Sequence, residues 1–144
     1  MRIKEVPFNS KEYYKLCKLR EEELRIPLGL RLTEEDVRNE NKHHHFGAFE
    51  EEEAVACLIL VPIQNNRLKM RQVCTLSSQQ GKGIGAKMLT FSENWAKTNN
   101  YNFMQCNARE NAAPFYLKFG YEIKGDLFEE IGIPHYLMEK KISY

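Results

Sequence analysis

The stretch Ser77–Leu89, SSQQGKGIGAKML, places glycines at 81, 83 and 85 and runs straight into a helical pattern. Glycines at such a junction let an anion approach main-chain N–H groups that a Cβ would otherwise shield, which demands a strand–loop–helix unit around them. Two registers fit. Gly81, Gly83 and Ala86 match G-x-G-x-x-G/A, a dinucleotide fingerprint, whereas Gln80, Gly83 and Gly85 match Q-x-x-G-x-G.

The surrounding pattern chooses between them. MRIKEV, ending at Pro7, suits a short first strand. Asn9 and Glu12 form a candidate capping box, and Tyr13, Leu16, Leu19 and Leu24 keep helical spacing, predicting a helix over about residues 10–25. IPLGL breaks it, and Thr33 with Asp36 predicts a second, short helix over 33–39. HHHFGAFE and AVACLILVPI flank the acidic tip Glu51–Glu53 as a hairpin, and RLKMRQVCT follows the turn signal Asn65-Asn66, with a bulge deciding which side Val73 takes. Ile84, Met88, Phe91 and Trp95 then mark one face of a helix ending near Asn99-Asn100. NFMQCNA reads as a buried strand and AAPFYLKFG as a short helix ended by Gly120; YEIKGDLF and HYLMEKKI are the last strands.

A dinucleotide fold sets its glycines in a tight turn directly after the first strand of a parallel series. Here they follow an antiparallel meander, and Leu76–Gln80 intervene between strand and Gly81. Glu110 does lie near where a ribose-binding acid belongs, about 20 residues on. The 34 residues after it cannot complete a doubly wound sheet. The order β-α-α-β-β-β-α-β-α-β-β instead predicts one mixed α/β (α+β) domain over residues 1–144.

Composition narrows the function classes. A formal net charge of +1 gives no strong field for nucleic acid or an anionic membrane surface. The longest apolar run, Ala54–Val61, is far short of the about 20 residues that span a bilayer. MRIKEVPF lacks the apolar core of a signal peptide, so a cytoplasmic location is expected. Cys17, Cys57, Cys74 and Cys106 show no C-x-x-C spacing and are expected to be reduced. His43-His44-His45 can bring at most His43 and His45 to one strand face, without an obvious third ligand, so no metal site is expected.

In the second register the chemistry is coherent. A helix starting at about Gly83 leaves its first N–H groups without intrahelical partners at the positive end of its dipole, and glycines at 83 and 85 keep Cβ atoms clear of them. VCTLSSQQGKGIGAKML resembles motif A of the GNAT superfamily, the acyl-CoA-dependent N-acetyltransferases, where strand, Q/R-x-x-G-x-G/A loop and helix bind the pyrophosphate of coenzyme A. NARENAAPFYLKFGY resembles the family's motif B, through Ala112, Phe115, Tyr116, Lys118, Gly120 and Tyr121. The chain is thus similar to small single-domain bacterial members.

That resemblance implies a mostly antiparallel mixed sheet flanked by helices and splayed between the fourth and fifth strands. It implies acetyl-CoA as donor, with pantetheine beside Val73, Cys74 and Thr75 and pyrophosphate held by Gln80, Gly81, Lys82, Gly83, Ile84, Gly85 and Ala86. It also implies direct transfer to a primary amine in a ternary complex, with Tyr116 as general acid. The family's asparagine seven positions before this tyrosine is replaced by Arg109, whose contact with the cofactor is left open.

The general base is open among Glu129, Glu130, His135 and water. Cys74 is adequately explained as a small strand residue rather than an acyl carrier. The acceptor, a small molecule or peptide amine, would be shaped by Leu24–Leu32 and the loop between the last strands. PLGLRL between Arg25 and Arg31 suits a partly hydrophobic or carboxylate-bearing one. A homodimer is a candidate assembly. The competing reading is a non-catalytic acyl-CoA-binding or sensor domain with the same fold.

Overall fold

A computed structural model describes residues 1–143. The strands β1 (Arg2–Val6), β2 (His44–Glu50), β3 (Glu53–Ile63), β4 (Arg67–Thr75), β5 (Phe103–Arg109), β6 (Glu122–Glu130) and β7 (Ile133–Lys141) form one sheet ordered β1-β2-β3-β4-β5-β7-β6. Only β4 and β5 run parallel, joined by the crossover helix α2 (Ile84–Thr98). The expected mixed sheet is therefore present. Alternation along β3 divides the core: Leu58 and Leu60 join the cluster under α2, whereas Cys57 packs with Leu16 and Leu19 of α1 (Lys11–Arg20). The short α3 (Ala113–Lys118) adds Tyr116 to the α2 cluster, and Gly120 ends it at φ 91°.

Register produces the expected splay. Arg67–Met70 pair with Phe103–Cys106, and there the β4–β5 ladder stops. Just beyond, β4 carries an extra residue against β3: Ile59 pairs with Arg71, but Cys57 pairs with Cys74. Gln72 sits at φ 53° in this bulge. A bulge bends its strand and increases local twist, so β4 stays on β3 while leaving β5.

Three local expectations need correction. Ser10, not Asn9, caps α1; its hydroxyl accepts from Tyr13 N–H, while Asn9 takes φ 63° in the preceding turn. α1 ends at Arg20, and the chain continues through a π-helical turn (Glu21–Arg25) and a 3-10 turn (Ile26–Leu28). The helix over 33–39 does not form. Thr33 and Asp36 make the reciprocal cap bonds, but only turns follow, then a 3-10 turn at Glu40–Lys42. That segment has no apolar stripe to bury, and tertiary burial is what stabilises most short helices.

The segment is anchored at its end instead. Arg20 and Glu40 form a bidentate pair at 2.8 and 2.7 Å, with side chains only 2% and 5% exposed. Tyr13 Oη donates to the same carboxylate at 2.6 Å, and Glu40's carbonyl accepts from His45 Nε2 at 2.7 Å. His45 thus serves the fold, and burial keeps it neutral. Among the described residues, no three His, Cys, Asp or Glu side chains gather as a metal site.

Burial alone would raise the Glu40 carboxyl pKa, but the bonds from Arg20 and Tyr13 outweigh it and hold the pKa below its usual value. Because the folded value lies below the unfolded one, this contribution is complete above the ordinary carboxylate range and fades as pH falls through the folded value. Glu40→Ala should cost about 3–5 kcal/mol in urea unfolding by stranding Arg20. The double variant Arg20→Met/Glu40→Leu should cost much less and should soften the loss of stability on acidification.

Candidate functional site

Where β4 and β5 part, a cleft of about 430 Å³ opens. Its floor comes from both strands: Lys69–Val73 of β4 and Cys106–Arg109 of β5. Ala112 and Tyr116 close one side, Leu24, Arg25 and Asp36 another, and Glu130, Ile131 and His135 a third. The π turn delivers Leu24 and Arg25 to this wall. Beyond Met70 the β5-facing edge of β4 has no strand partner, so an extended ligand can add to it as a strand would.

The glycine loop follows at the end of β4. Gln80 folds back, its side-chain amide donating to Thr75 O at 3.2 Å. Gly81 and Gly83 take φ 81° and 80°, where an L side chain would be strained. Gly85 lies in the first turn of α2, and a Cβ there would meet the Phe115 ring at 3.6 Å. Gly81 and Gly83 are thus needed for backbone shape, whereas a Cβ at Gly85 would make only ordinary contact with Phe115. No side chain caps α2, leaving the N–H groups of Ile84, Gly85 and Ala86 at the exposed helix start, while Lys87 N–H bonds Gly83 O at 3.2 Å. Such an uncapped N-terminus is suited to a phosphate. Lys82 lies nearby but bonds Gln79 at 3.3 Å.

Tyr116 is 6% exposed and packs against Phe115, Tyr121 and Cys106. Burial, reinforced by Cys106, raises its pKa well above that of an ordinary phenol, so it remains protonated at neutral pH. Burial likewise pushes the Cys106 thiol up to about 12. The neighbouring motif B residue Tyr121 donates to Glu93 of α2 at 2.8 Å, and Lys140 bonds the other oxygen at 2.9 Å. This buried link fixes the end of α3 against α2 and β7. Cys74 and Cys57 approach at 3.3 Å between sulfurs as free thiols. Their hydrogen bond, together with burial, holds the Cys74 thiol neutral.

The expected loop before the last strand is shorter than the sequence pattern implies. β6 runs to Glu130, and Ile131-Gly132, at φ 48° and 73°, turn directly into β7. Positive φ at both central residues fits the twist of a tight hairpin. The turn brings Glu130 Oε2 to 3.6 Å from His135 Nε2. His135 is 4% exposed, and its Nδ1 lies 2.7 Å from Ile133 O. A carbonyl only accepts, so Nδ1 carries the hydrogen and Nε2 presents its lone pair when the ring is neutral.

Of the sequence-nominated residues, Leu24, Arg25, Val73, Arg109, Tyr116, Glu130 and His135 meet at the cleft; Glu129 and the rest of the 24–32 segment do not line it. Cys74 and Thr75 continue along β4, and 80–86 form the loop beyond. Arg31 is drawn away to Glu21 at 3.5 Å. Lys69, Arg71 and Asn107 were not singled out from sequence; strand alternation next to the bulge could have found Lys69 and Arg71, and alternation along β5 Asn107. A second hollow of about 450 Å³, beside α1 and the acidic tip, contains none of the nominated site residues. No helix among the described residues is long and apolar enough to cross a membrane.

Known proteins resemble the chain over nearly its whole length. The Bacillus subtilis protein YyaT, uncharacterized, is 27% identical, covering 85% of this chain and 88% of its own. A Lactobacillus plantarum protein assigned as an N-acetyltransferase shares the fold with TM-score 0.87, 22% identity and coverage of 99% of each chain. An aminoglycoside 6′-N-acetyltransferase solved with coenzyme A superimposes with TM-score 0.80 at 18% identity, covering 99% of this chain and 97% of that one. The domain family described as "Acetyltransferase (GNAT) domain" matches residues 20–142, and the chain belongs to that family.

Proposed function

We propose that the protein is an acetyl-CoA-dependent N-acetyltransferase that passes the acetyl group directly to a primary amine. The observation that carries this reading is the parting of β4 from β5 opposite Tyr116, with an uncapped helix start at the end of the same strand. A pantetheine arm would lie along Val73, Cys74 and Thr75, and the pyrophosphate against the loop Gln80–Gly83 and the amides of Ile84, Gly85 and Ala86. The aminoglycoside enzyme solved with coenzyme A supports the choice of ligand through its shared fold. The loop is too far from a first strand and too late in the chain for a dinucleotide site.

Two proton movements accompany the transfer. The amine nitrogen attacks the thioester carbonyl carbon, its proton passes to a base, and the sulfur accepts a proton as the C–S bond breaks. Tyr116 suits the donor role because its burial keeps the hydroxyl protonated. Burial also makes full proton transfer steeper than an ordinary phenol pKa of about 10 implies, so Tyr116 assists mainly by hydrogen bonding to the developing thiolate charge. His135 suits the acceptor role, since Nδ1–H is committed to Ile133 O and Nε2 faces the cleft carboxylate Glu130. Glu130 would steady the imidazolium that forms. Direct transfer agrees with the neutral thiols: neither Cys74 nor Cys106 is poised as a thiolate nucleophile.

Tyr116→Phe should lower kcat by roughly 10²–10⁴-fold while leaving acetyl-CoA affinity nearly unchanged. Equal turnover in variant and parent would remove Tyr116 from the mechanism. Absence of turnover in the parent across amines, polyamines, amino acids and peptides, with coenzyme A still bound, would favour a sensor domain instead. For the base, His135→Gln should lower kcat by roughly 10²–10⁴-fold while leaving acetyl-CoA affinity nearly unchanged; unchanged turnover would exclude His135.

A further inference from the structure

The cleft's charges are partnered unequally. Its two carboxylates are engaged: Asp36 accepts from Thr33 N and Oγ1 at 2.9 and 3.0 Å, and Glu130 lies beside Asn107 and His135. Its four cations are not. Arg25, Lys69, Arg71 and Arg109 all line the cleft, and no carboxylate among the described residues forms an ion pair with any of them. Among the described residues other cations also lack ion pairs, Arg2 and Arg38 among them, but these four are the ones gathered in one concave site. Arg25, Lys69 and Arg109 are half-buried and Arg71 is exposed; Asp36 lies within Coulombic reach of Arg25 without bonding it, and Lys69 and Arg109 lose part of their hydration without an ion-pair partner.

These cations arrive from three separate elements. Arg25 comes from the π turn, Lys69 and Arg71 from β4 around the bulge, and Arg109 from the end of β5. Arg109 pairs in register with His135, so positive charge borders the corner where the amine would lose its proton. Guanidinium groups offer forked N–H donors that match the oxygens of a carboxylate or phosphate.

The geometry points to an acceptor amine that also carries an anionic group, a carboxylate or a phosphate, held chiefly by Arg25 and Arg71 with Lys69 and Arg109 adding charge. This deepens the acetyltransferase reading and rests on it for the word acceptor, although the anion site can be measured without turnover. The nitrogen would lie toward His135 and Glu130 and the anion toward the arginines, so one small molecule would use both signs of charge in the cleft.

The test is calorimetric titration of matched amines into the protein saturated with coenzyme A at low salt. L-leucine is compared with L-leucinamide, and phosphoethanolamine with ethanolamine. The anionic member of at least one pair should bind roughly tenfold or more tightly than its neutral partner, and which pair responds separates carboxylate from phosphate. In Arg25→Gln/Arg71→Gln that ratio should fall toward one, with coenzyme A affinity moving by less than about twofold. In the parent protein, added salt should weaken the anionic amine selectively, a readout independent of any variant's folding.

Equal binding within both pairs, or a preference that survives in the double variant, would overturn the inference. So would a matching loss of coenzyme A affinity, which would assign the arginines to the cofactor's phosphates. Thiol release with the same amines is read separately. An anion preference without turnover would sink the acetyltransferase reading and leave the anion site standing.

Discussion

The site depends on one extra residue in β4. With Gln72 bulged at φ 53°, the strand keeps its ladder with β3 through Cys74 and Thr75 while giving up β5 after Met70. A regular β4 would pair with β5 through Asn107 and Ala108, filling the space where the cleft now opens. Parallel strands are normally buried within a continuous ladder. Here the interruption leaves polar backbone exposed at the centre of the sheet, which is a cost unless something adds to that edge. The glycine loop leads from the end of β4 to the uncapped start of α2, so the free edge and the helix amides are joined by one short loop.

The surrounding structure holds that opening in place. On one face the Arg20–Glu40–Tyr13 cluster fixes the end of α1 and, with it, the π turn that brings Leu24 and Arg25 to the cleft. Glu23 in the same turn accepts from Ser77 N–H at 2.8 Å, tying it to the loop after β4. On the other face, Tyr121, Glu93 and Lys140 lock α3 to α2 and β7, setting Tyr116 against the cleft. Both clusters are buried or partly buried polar links in an otherwise apolar core. They contribute most through placement, because buried pairs of this kind offset their own desolvation only with good geometry.

Much of this was legible in the sequence. Ile84, Met88, Phe91 and Trp95 define the crossover helix, and the order of strand patterns leads to the mixed sheet. Motif B locates Tyr116. The errors share a physical origin, since local signals were read where burial decides. Asn9 and Ser10 are both good caps, and only the turn geometry selects Ser10. Thr33 and Asp36 make real cap bonds, yet Val37 is the only apolar residue in 33–39, too little to hold a helix. β6 is exposed from Glu122 to Glu130, so its charged end shows no alternation to mark it as strand. That extension, with the Ile131-Gly132 turn, is why Glu130 and His135 meet. No spacing rule along the chain foretells it.

In the proposed function, the free edge of β4 and the start of α2 act together as one coenzyme A cradle. Titrating the amide NMR spectrum with coenzyme A tests this directly, with NAD as control. Saturable shifts concentrated at Val73–Thr75 and at 81–86 are expected, with NAD leaving these amides unmoved. Shifts confined to other parts of the chain, or an equal response to NAD, would contradict it.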